Sequence, residues 1–293
     1  MKILITGAGG LVGRALTKHA RAEGDDVAAY EHRSLDVSDA NAVNAVIQSA
    51  RPEVVINCAA WTDVDGCETD QEHAQLTNAL GPEFLAKQCR DIDALFITIS
   101  TDYVFDGTKE GFYTQRDQPK PISVYGRSKL EGERRAQAAW ARTIIVRSGY
   151  IFGTGGKNFL SRVVEQSRSG APLKAIDDMT GTPTYGRDLA QRLRQLAEID
   201  RPGIYHVVNA GEGASFHEFA TAALAIIGCD DAEIRPVSVA DLNLPAPRPR
   251  NSRLRCLLSP AIGLEPLPNW RDGLRNFIAE QVTSGQSAGS ARP

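Results

Sequence analysis

Tyr125 and Lys129 stand four residues apart in "SVYGRSKLEGE" (123–133), where the surrounding charges otherwise read as the solvated face of a helix. On a helix, positions i and i+4 share one face about 5–6 Å apart. A phenol titrates near pH ~10, too high for ready proton transfer at neutral pH. An ammonium at ~5 Å, with an effective dielectric of ~20, stabilises phenolate by about 3 kcal/mol, roughly two pKa units. The pair is therefore expected to deliver a proton to a carbonyl oxygen during reduction, or to take one in reverse. Thr101, after the apolar run "ALFITIS" (94–100), adds a hydroxyl able to hydrogen-bond the same oxygen.

A proton donor of this kind needs a hydride source. "ITGAGGLVGRAL" sets Gly7, Gly10 and Gly13 in a G-x-x-G-x-x-G pattern between an apolar run and an amphipathic one. Glycine permits the tight turn and close backbone approach, and the following helix offers unpaired N–H groups to a pyrophosphate. A dinucleotide is the expected ligand. Lys129 is then expected to reach the nicotinamide ribose. Downstream, in "AAYEHRSLDVSD", Glu31 suits a ribose 2′-hydroxyl and so NADH, whereas His32 and Arg33 suit a 2′-phosphate and so NADPH. Either cofactor, NADPH or NADH, fits. Asp36 and Val37 are placed at the adenine edge, with a helix cap or turn as the other reading of Asp36.

The elements that must position these groups alternate. "KILIT" (2–6), "DVAAY" (26–30), "EVVINCA" (53–59), "ALFITIS" (94–100) and "TIIVRS" (143–148) read as strands, and 12–24, 39–50, 70–90 and 125–139 as helices. Continuous apolar runs separated by helices predict an α/β fold: a Rossmann-type, doubly wound parallel sheet covered on both faces. "GIYHVVN" (203–209) reads as one more strand of it, and helices are expected at 215–228 and 270–282. The expected division is a dinucleotide domain of 1–149 plus about 184–210, and a smaller C-terminal substrate lobe of about 150–183 plus 211–281. The Gly/Ser-rich end, 282–293, is expected to be a disordered tail.

Bulk properties narrow the class. A net charge of −3 without a basic block argues against nucleic acid. No apolar run approaches the ~20 residues that span a bilayer, which argues against a membrane. Five cysteines without CxxC spacing fit a reducing compartment, and the chain opens directly on its first strand, so a cytoplasmic location is expected.

Gly7/Gly10/Gly13, "NCAA" (57–60), Thr101 and Tyr125-x-x-x-Lys129 together resemble the extended short-chain dehydrogenase/reductases. "NCAAWTDVDGCE" (57–68), "STDYVFDG" (100–107), "PISVYGRSKLEGE" (121–133), "RSGYIFGTGGKNF" (147–159), "GTPTYGRDLA" (181–190) and "RPRNSRL" (248–254) narrow the resemblance to the dTDP-4-dehydrorhamnose reductases, over residues 1 to about 280. The resemblance implies reduction of the 4-keto group of dTDP-4-dehydro-L-rhamnose to dTDP-L-rhamnose by NAD(P)H, with Tyr125 protonating the sugar oxygen. It implies that Gly10, Leu11 and Val12 line the pyrophosphate and that Ala60, Trp61 and Thr62 pass under the cofactor. It places Thr101, Asp102, Tyr103, Tyr150 and Arg248 beside the nucleotide sugar, with Asp65 and Glu68 positioning their loop. Arg248, Asn251, Ser252 and Arg253 could grip the nucleotide diphosphate, with a basic surface loop as the other reading.

Two residues depart from the family pattern. Tyr150 stands where Trp is common and Met179 where Gln is usual, so the exact sugar stays open. Ala15 replaces an acidic residue that in some relatives joins a metal-linked dimer contact; no metal is expected, and a homodimer is compatible. The alternatives are a related nucleotide-sugar 4-ketoreductase or epimerase, or a non-catalytic regulatory subunit of the methionine adenosyltransferase type. The presence of Thr101, Tyr125 and Lys129 disfavours the last.

Overall fold

Five of the apolar runs form parallel strands: β1 (Lys2–Thr6), β2 (Asp26–Tyr30), β3 (Val54–Asn57), β4 (Leu95–Thr101) and β5 (Thr143–Ser148). The computed structural model describes residues 1–167, 173–229 and 232–289, the backbone alone from 282 onward. Within it, Gly203–His206 adds a sixth strand, and the spatial order is Gly203–His206, β5, β4, β3, β1, β2, every pairing parallel. The chain winds from β1 out to β2, then crosses to the other side of β1 to lay down β3, β4 and β5. The reversal between β1 and β3 opens the crevice in which such sheets bind ligands, at the strands' carboxyl ends.

The connecting helices are α1 (Leu11–Ala22), α2 (Ala40–Ala50), α3 (Val64–Thr69), α4 (Gln71–Gln75), α5 (Gly81–Asp91) and α6 (Val124–Ala139). Later come α7 (Phe159–Ser167), α8 (Gly186–Ile199), α9 (Phe216–Ile226) and a C-terminal helix, Trp270–Gly289. The strands lack polar alternation because both sheet faces are covered. Ile3 and Ile5 pack with Leu16, Leu189 and Leu193 on one side. Leu4 packs with Val43, Ile47 and Leu85 on the other. A separate apolar cluster, including Phe152, Leu160, Phe219, Trp270 and Phe277, forms the core of the smaller lobe. There, Ser215 and Glu218 start α9 with a reciprocal capping box.

Two expectations need correction. The helix expected over 70–90 is broken by a widened π-helical turn, Leu76–Leu80, between α4 and α5. Pro82 has no N–H to give the Asn78 carbonyl four residues back, so the α-helical ladder cannot run through. The C-terminal helix continues to Gly289, so 282–289 extend it rather than forming a loose tail; 290–293 lie outside the described residues. Extending an existing helix needs no new nucleus, and no proline intervenes before Pro293. Among the described residues, no helix is long and apolar enough to cross a membrane.

Candidate active site

The glycine turn after β1 is closed by backbone contacts that only glycine allows. Gly7 has φ +65°, and a Cβ there would lie 2.5 Å from the Ala59 nitrogen, where the chain leaves β3. A Cβ on Gly13 would sit 2.2 Å from the Gly7 oxygen. Gly10 precedes α1, and no side chain caps that helix, so its first-turn N–H groups and positive dipole end point to an anion. These features fit a dinucleotide pyrophosphate. Leu11 and Val12 offer it their backbone, because the Val12 side chain packs toward the sheet and that of Leu11 against the smaller lobe. A Cβ on Gly186 would meet Leu11 Cδ2 at 2.3 Å. Arg14 ties the same turn to that lobe, donating to the Gly9 carbonyl and, at 2.9 Å, to that of Gly155.

After β2, the Glu31 carboxyl group lies against Gly9: a Cβ there would be 3.1 Å from Glu31 Cδ. Arg33 is exposed on the same turn. The Asp36 carboxylate accepts from the Ser38 nitrogen (2.9 Å) and hydroxyl (2.7 Å), the turn role that was its other reading. The Val37 side chain is buried in the core. At an adenine edge, Val37 can therefore present only backbone, whereas Asp36 keeps one carboxylate oxygen outside these bonds.

Thr101, Tyr125 and Lys129 converge at the carboxyl end of β4. Tyr125 and Lys129 share the inward face of α6, 9% and 4% exposed. The Tyr125 phenol lies beside the Thr101 hydroxyl, which lowers its proton affinity. The Lys129 ammonium donates to the Ile99 carbonyl at 2.7 Å. Four residues of helix rise about 6 Å and two of strand about 6.6 Å, so a helix running back along β4 brings Tyr125 to Thr101 and Lys129 to Ile99. The amino end of α6 is fixed by Ser123, which accepts from Gly126 N at 3.1 Å, and by Glu68, which accepts from Val124 N at 2.7 Å.

The expected electrostatic effect on Tyr125 is reversed. Burial raises its proton affinity, against a lowering contribution from Thr101, and the Asp102 charge raises it further. The Lys129 charge is itself weakened by burial, which pulls its pKa down to about 8, and its hydrogen bond goes to Ile99 rather than to the phenol. Desolvation thus outweighs the attraction deduced from spacing. Tyr125 rests as a neutral phenol.

Two positioning residues escaped the sequence reading. Asn78, buried on the π-helical turn, accepts from Trp61 N (2.9 Å) and donates to the Trp61 carbonyl (3.0 Å) and the Ser128 hydroxyl (3.1 Å). It joins the Ala60–Trp61–Thr62 loop to α6, and the one available signal was an amide within an apolar helical pattern. Glu133, one turn beyond Lys129, is paired with Arg147 on β5.

Asp102 faces the smaller lobe. Its carboxyl group accepts from the Thr101 hydroxyl at 3.1 Å and from Ser252 of the basic run. Burial pushes its pKa up to about 6, while those hydrogen bonds hold it down. Gly149 leaves room for it, since a Cβ there would lie 2.3 Å from Asp102 Cγ. The Tyr103 ring stands edge-on to Tyr125, centroids 5.9 Å apart. Tyr150 adopts φ +47° and packs on Phe216, centroids 4.7 Å apart. Its buried hydroxyl has no hydrogen-bond partner among the described residues. Met179 is buried nearby, beside the Thr180–Gly181 strand on which the Tyr150 ring rests.

The side chains of the basic run, expected to grip the diphosphate, have partners within the protein. Arg248 forks onto Asp65 at 2.6 and 2.7 Å. Asn251 donates to the Lys109 and Gly111 carbonyls, and Ser252 to Asp102. Arg253 donates to the Asn251 side chain and lies over Phe112. A carboxylate within reach satisfies a guanidinium fork, and these side chains strap the lobe across the site mouth.

A doubly wound sheet with a glycine turn after β1 and, at the carboxyl end of β4, Thr101 facing Tyr125 and Lys129 of α6 defines a nicotinamide-dependent oxidoreductase. The chain belongs to the RmlD substrate binding domain family, which it matches over residues 1–283. It is 38% identical to the dTDP-4-dehydrorhamnose reductase of Mycolicibacterium smegmatis over 284 residues, 96% of this chain and 86% of that protein. The crystal structure of the Bacillus anthracis dTDP-4-dehydrorhamnose reductase in complex with NADP superposes with a TM-score of 0.92 at 32% identity, covering 96% of this chain and all of the other. The dTDP-4-keto-6-deoxy-D-glucose reductase of Streptomyces niveus is 34% identical over 272 residues, 92% of this chain and 94% of that protein.

Proposed function

We propose that this chain reduces the 4-keto group of dTDP-4-dehydro-L-rhamnose to dTDP-L-rhamnose. The observation that carries the reading is the buried Tyr125 phenol, set beside Thr101 and backed one turn later by Lys129, at the sheet edge that also bears the glycine cradle. Family membership and the names of the relatives support the substrate class.

Gly7, Gly10 and Gly13, with the backbone of Leu11 and Val12, would hold the dinucleotide phosphates; Glu31 and Arg33 lie at its adenosine ribose, and Ala60, Trp61 and Thr62 beneath it. A bound NADPH or NADH supplies the hydride. Tyr125 holds the proton that the sugar oxygen needs once reduced, and its burial keeps that proton in place at neutral pH. Thr101 orients the same oxygen. Lys129, with a pKa of about 8, is charged at pH ~7 and offsets the phenolate that proton donation leaves. Asp102, Tyr103 and Tyr150 border the sugar, and Arg248 closes the mouth through Asp65.

The test is NADPH and NADH oxidation with dTDP-4-dehydrorhamnose generated in situ, followed by identification of the product. Tyr125→Phe keeps the ring and removes the donor, so turnover should fall by about 10²–10⁴-fold with dinucleotide affinity nearly intact. Near-normal turnover would overturn the assignment. The Streptomyces niveus relative and the unpartnered Tyr150 hydroxyl favour, as second reading, another dTDP-4-keto-6-deoxy sugar. Product identification separates the two.

A further inference from the structure

We propose that Glu133 is a positioning residue for Lys129: it fastens the inner face of α6 to β5 and keeps a negative charge one turn behind the amine. The inference rests on the reading of Tyr125 and Lys129 given above and extends it to a third residue of the same stripe. Tyr125, Lys129 and Glu133 follow one another at four-residue spacing, and all three are buried. Glu133 accepts from Arg147 Nε at 2.9 Å and Nη2 at 2.6 Å, each residue 3% exposed. Arg147 is held in turn over the Phe105 ring, 5.3 Å from its centroid, and its strand neighbour in β4 is Ser100, next to the carbonyl that receives Lys129.

A buried ion pair is a poor device for stability alone, because apolar residues of similar volume hold a helix as well or better. Its placement is what a purely structural role does not require. The groups facing Lys129 are few. β4 supplies the Ile99 carbonyl, and the β3 exit supplies Cys58, whose thiol burial raises to about 12 and so keeps neutral. α6 supplies Tyr125, neutral as described, and Glu133. Behind Arg147, the edge strand contributes His206, which burial lowers to about 3 and so keeps neutral. Glu133 is therefore the one anion among these neighbours. Burial lowers the proton affinity of Lys129 and the Glu133 charge restores part of it.

The test measures NADPH and NADH dissociation constants against pH by protein-to-dinucleotide energy transfer, with no sugar present. Binding to the wild-type chain should weaken as pH rises through about 8, where Lys129 loses its proton. Glu133→Gln keeps an acceptor for Arg147 and removes the charge, so that transition should move down by about one pH unit, weakening binding about threefold at pH ~7.5. Glu133→Asp keeps the charge and should stay close to wild type. A folded Glu133→Gln with an unmoved transition, or Glu133→Asp shifting as far as Gln, would show a scaffold role only and overturn the proposal. If Glu133→Gln does not fold, the double change Glu133→Met with Arg147→Met, which replaces the pair by apolar volume, carries the same test: a lowered transition supports the proposal and an unmoved one overturns it. A wild-type chain that shows the transition and yet reduces no dTDP-4-keto sugar would sink the functional reading and leave this inference standing.

Discussion

Replacing Asn78 with Leu asks whether one buried amide aligns the dinucleotide loop with the catalytic helix. The amide makes three hydrogen bonds, two to the Trp61 backbone and one to the Ser128 hydroxyl. Leu has the same branched skeleton, with methyl groups in place of the amide oxygen and nitrogen, and makes none of them. Ser128 keeps its bond to the Tyr125 carbonyl at 2.9 Å, so its loss is partial. The Trp61 N–H and carbonyl lose their partner, and a buried polar group stripped in this way costs about 1–3 kcal/mol. Because Trp61 is half-buried, the lower part of that range applies to each group, about 2–3 kcal/mol in all. At roughly 2 °C per kcal/mol for a chain of this size, melting should fall by about 4–6 °C. With the loop released from α6, NADPH affinity should fall by about 3–10-fold, since a misplaced positioning group weakens the contacts it aligned. Scanning fluorimetry and NADPH titration of the purified variant measure both. A melting point within about 1 °C of wild type together with unchanged affinity would refute the argument.

Three further outcomes are expected. Gly13→Ala puts a methyl group 2.2 Å from the Gly7 oxygen, whereas Gly10→Ala puts one at 3.2 Å. The first should lower dinucleotide affinity about tenfold or more and the second far less; equal effects in titration would mean that the turn tolerates displacement. Glu31→Gln should raise the NADPH-to-NADH preference about fivefold, the weight of one screened repulsion of about 1 kcal/mol against a 2′-phosphate, and an unchanged ratio in steady-state kinetics would place Glu31 away from the ribose. The raised pKa of Asp102, about 6 against 3.8, means that the folded chain holds this proton more tightly than the unfolded one. Stability on this account is greatest at low pH and declines as pH rises from 3.8 through 6. Asp102→Asn removes that decline, so denaturant unfolding should show the variant gaining about 2 kcal/mol on wild type between pH ~4.5 and ~7.5.

What the sequence made legible were features carried by local pattern. Strands buried on both faces read as unbroken apolar runs, so β1 and β5 lie where the runs do, and the half-buried edge strand β2 matches its run as well. Gly7 and Gly13 were legible because a tight turn into a helix leaves few other residues possible. Partners drawn from distant segments were not. Glu133 is interpretable only once β5 brings Arg147 beside it, and nothing in the basic run announced that Arg248 pairs with Asp65 of α3. The π-helical turn lies between these cases. Pro82 lay unused within the helix expected over 70–90, and the role of the break it imposes depends on Gly132, where a Cβ would stand 2.1 Å from the Asn78 carbonyl. A glycine on one helix and a proline on another jointly let α6 approach the turn, a relation between segments that neither pattern expresses alone.

Spacing also singled out the proposed proton donor while misjudging its energetics. An ammonium one turn away would acidify a solvated phenol by roughly two pKa units, yet here both side chains have left water. Desolvation penalises whichever form is charged, so it drives phenol and amine alike toward neutrality. The two effects are opposite for catalysis in the two directions. Reduction consumes a proton from Tyr125, and burial guarantees that the proton is there; oxidation needs phenolate, which burial disfavours. Lys129 must then keep enough charge to accept the phenolate when it forms, although its own burial lowers its proton affinity to about 8. A carboxylate one turn from the ammonium and fastened to Arg147 meets that requirement. The stripe Tyr125–Lys129–Glu133 thereby orders donor, stabiliser and support along a single helix face, biased toward delivering a proton to a ketone oxygen.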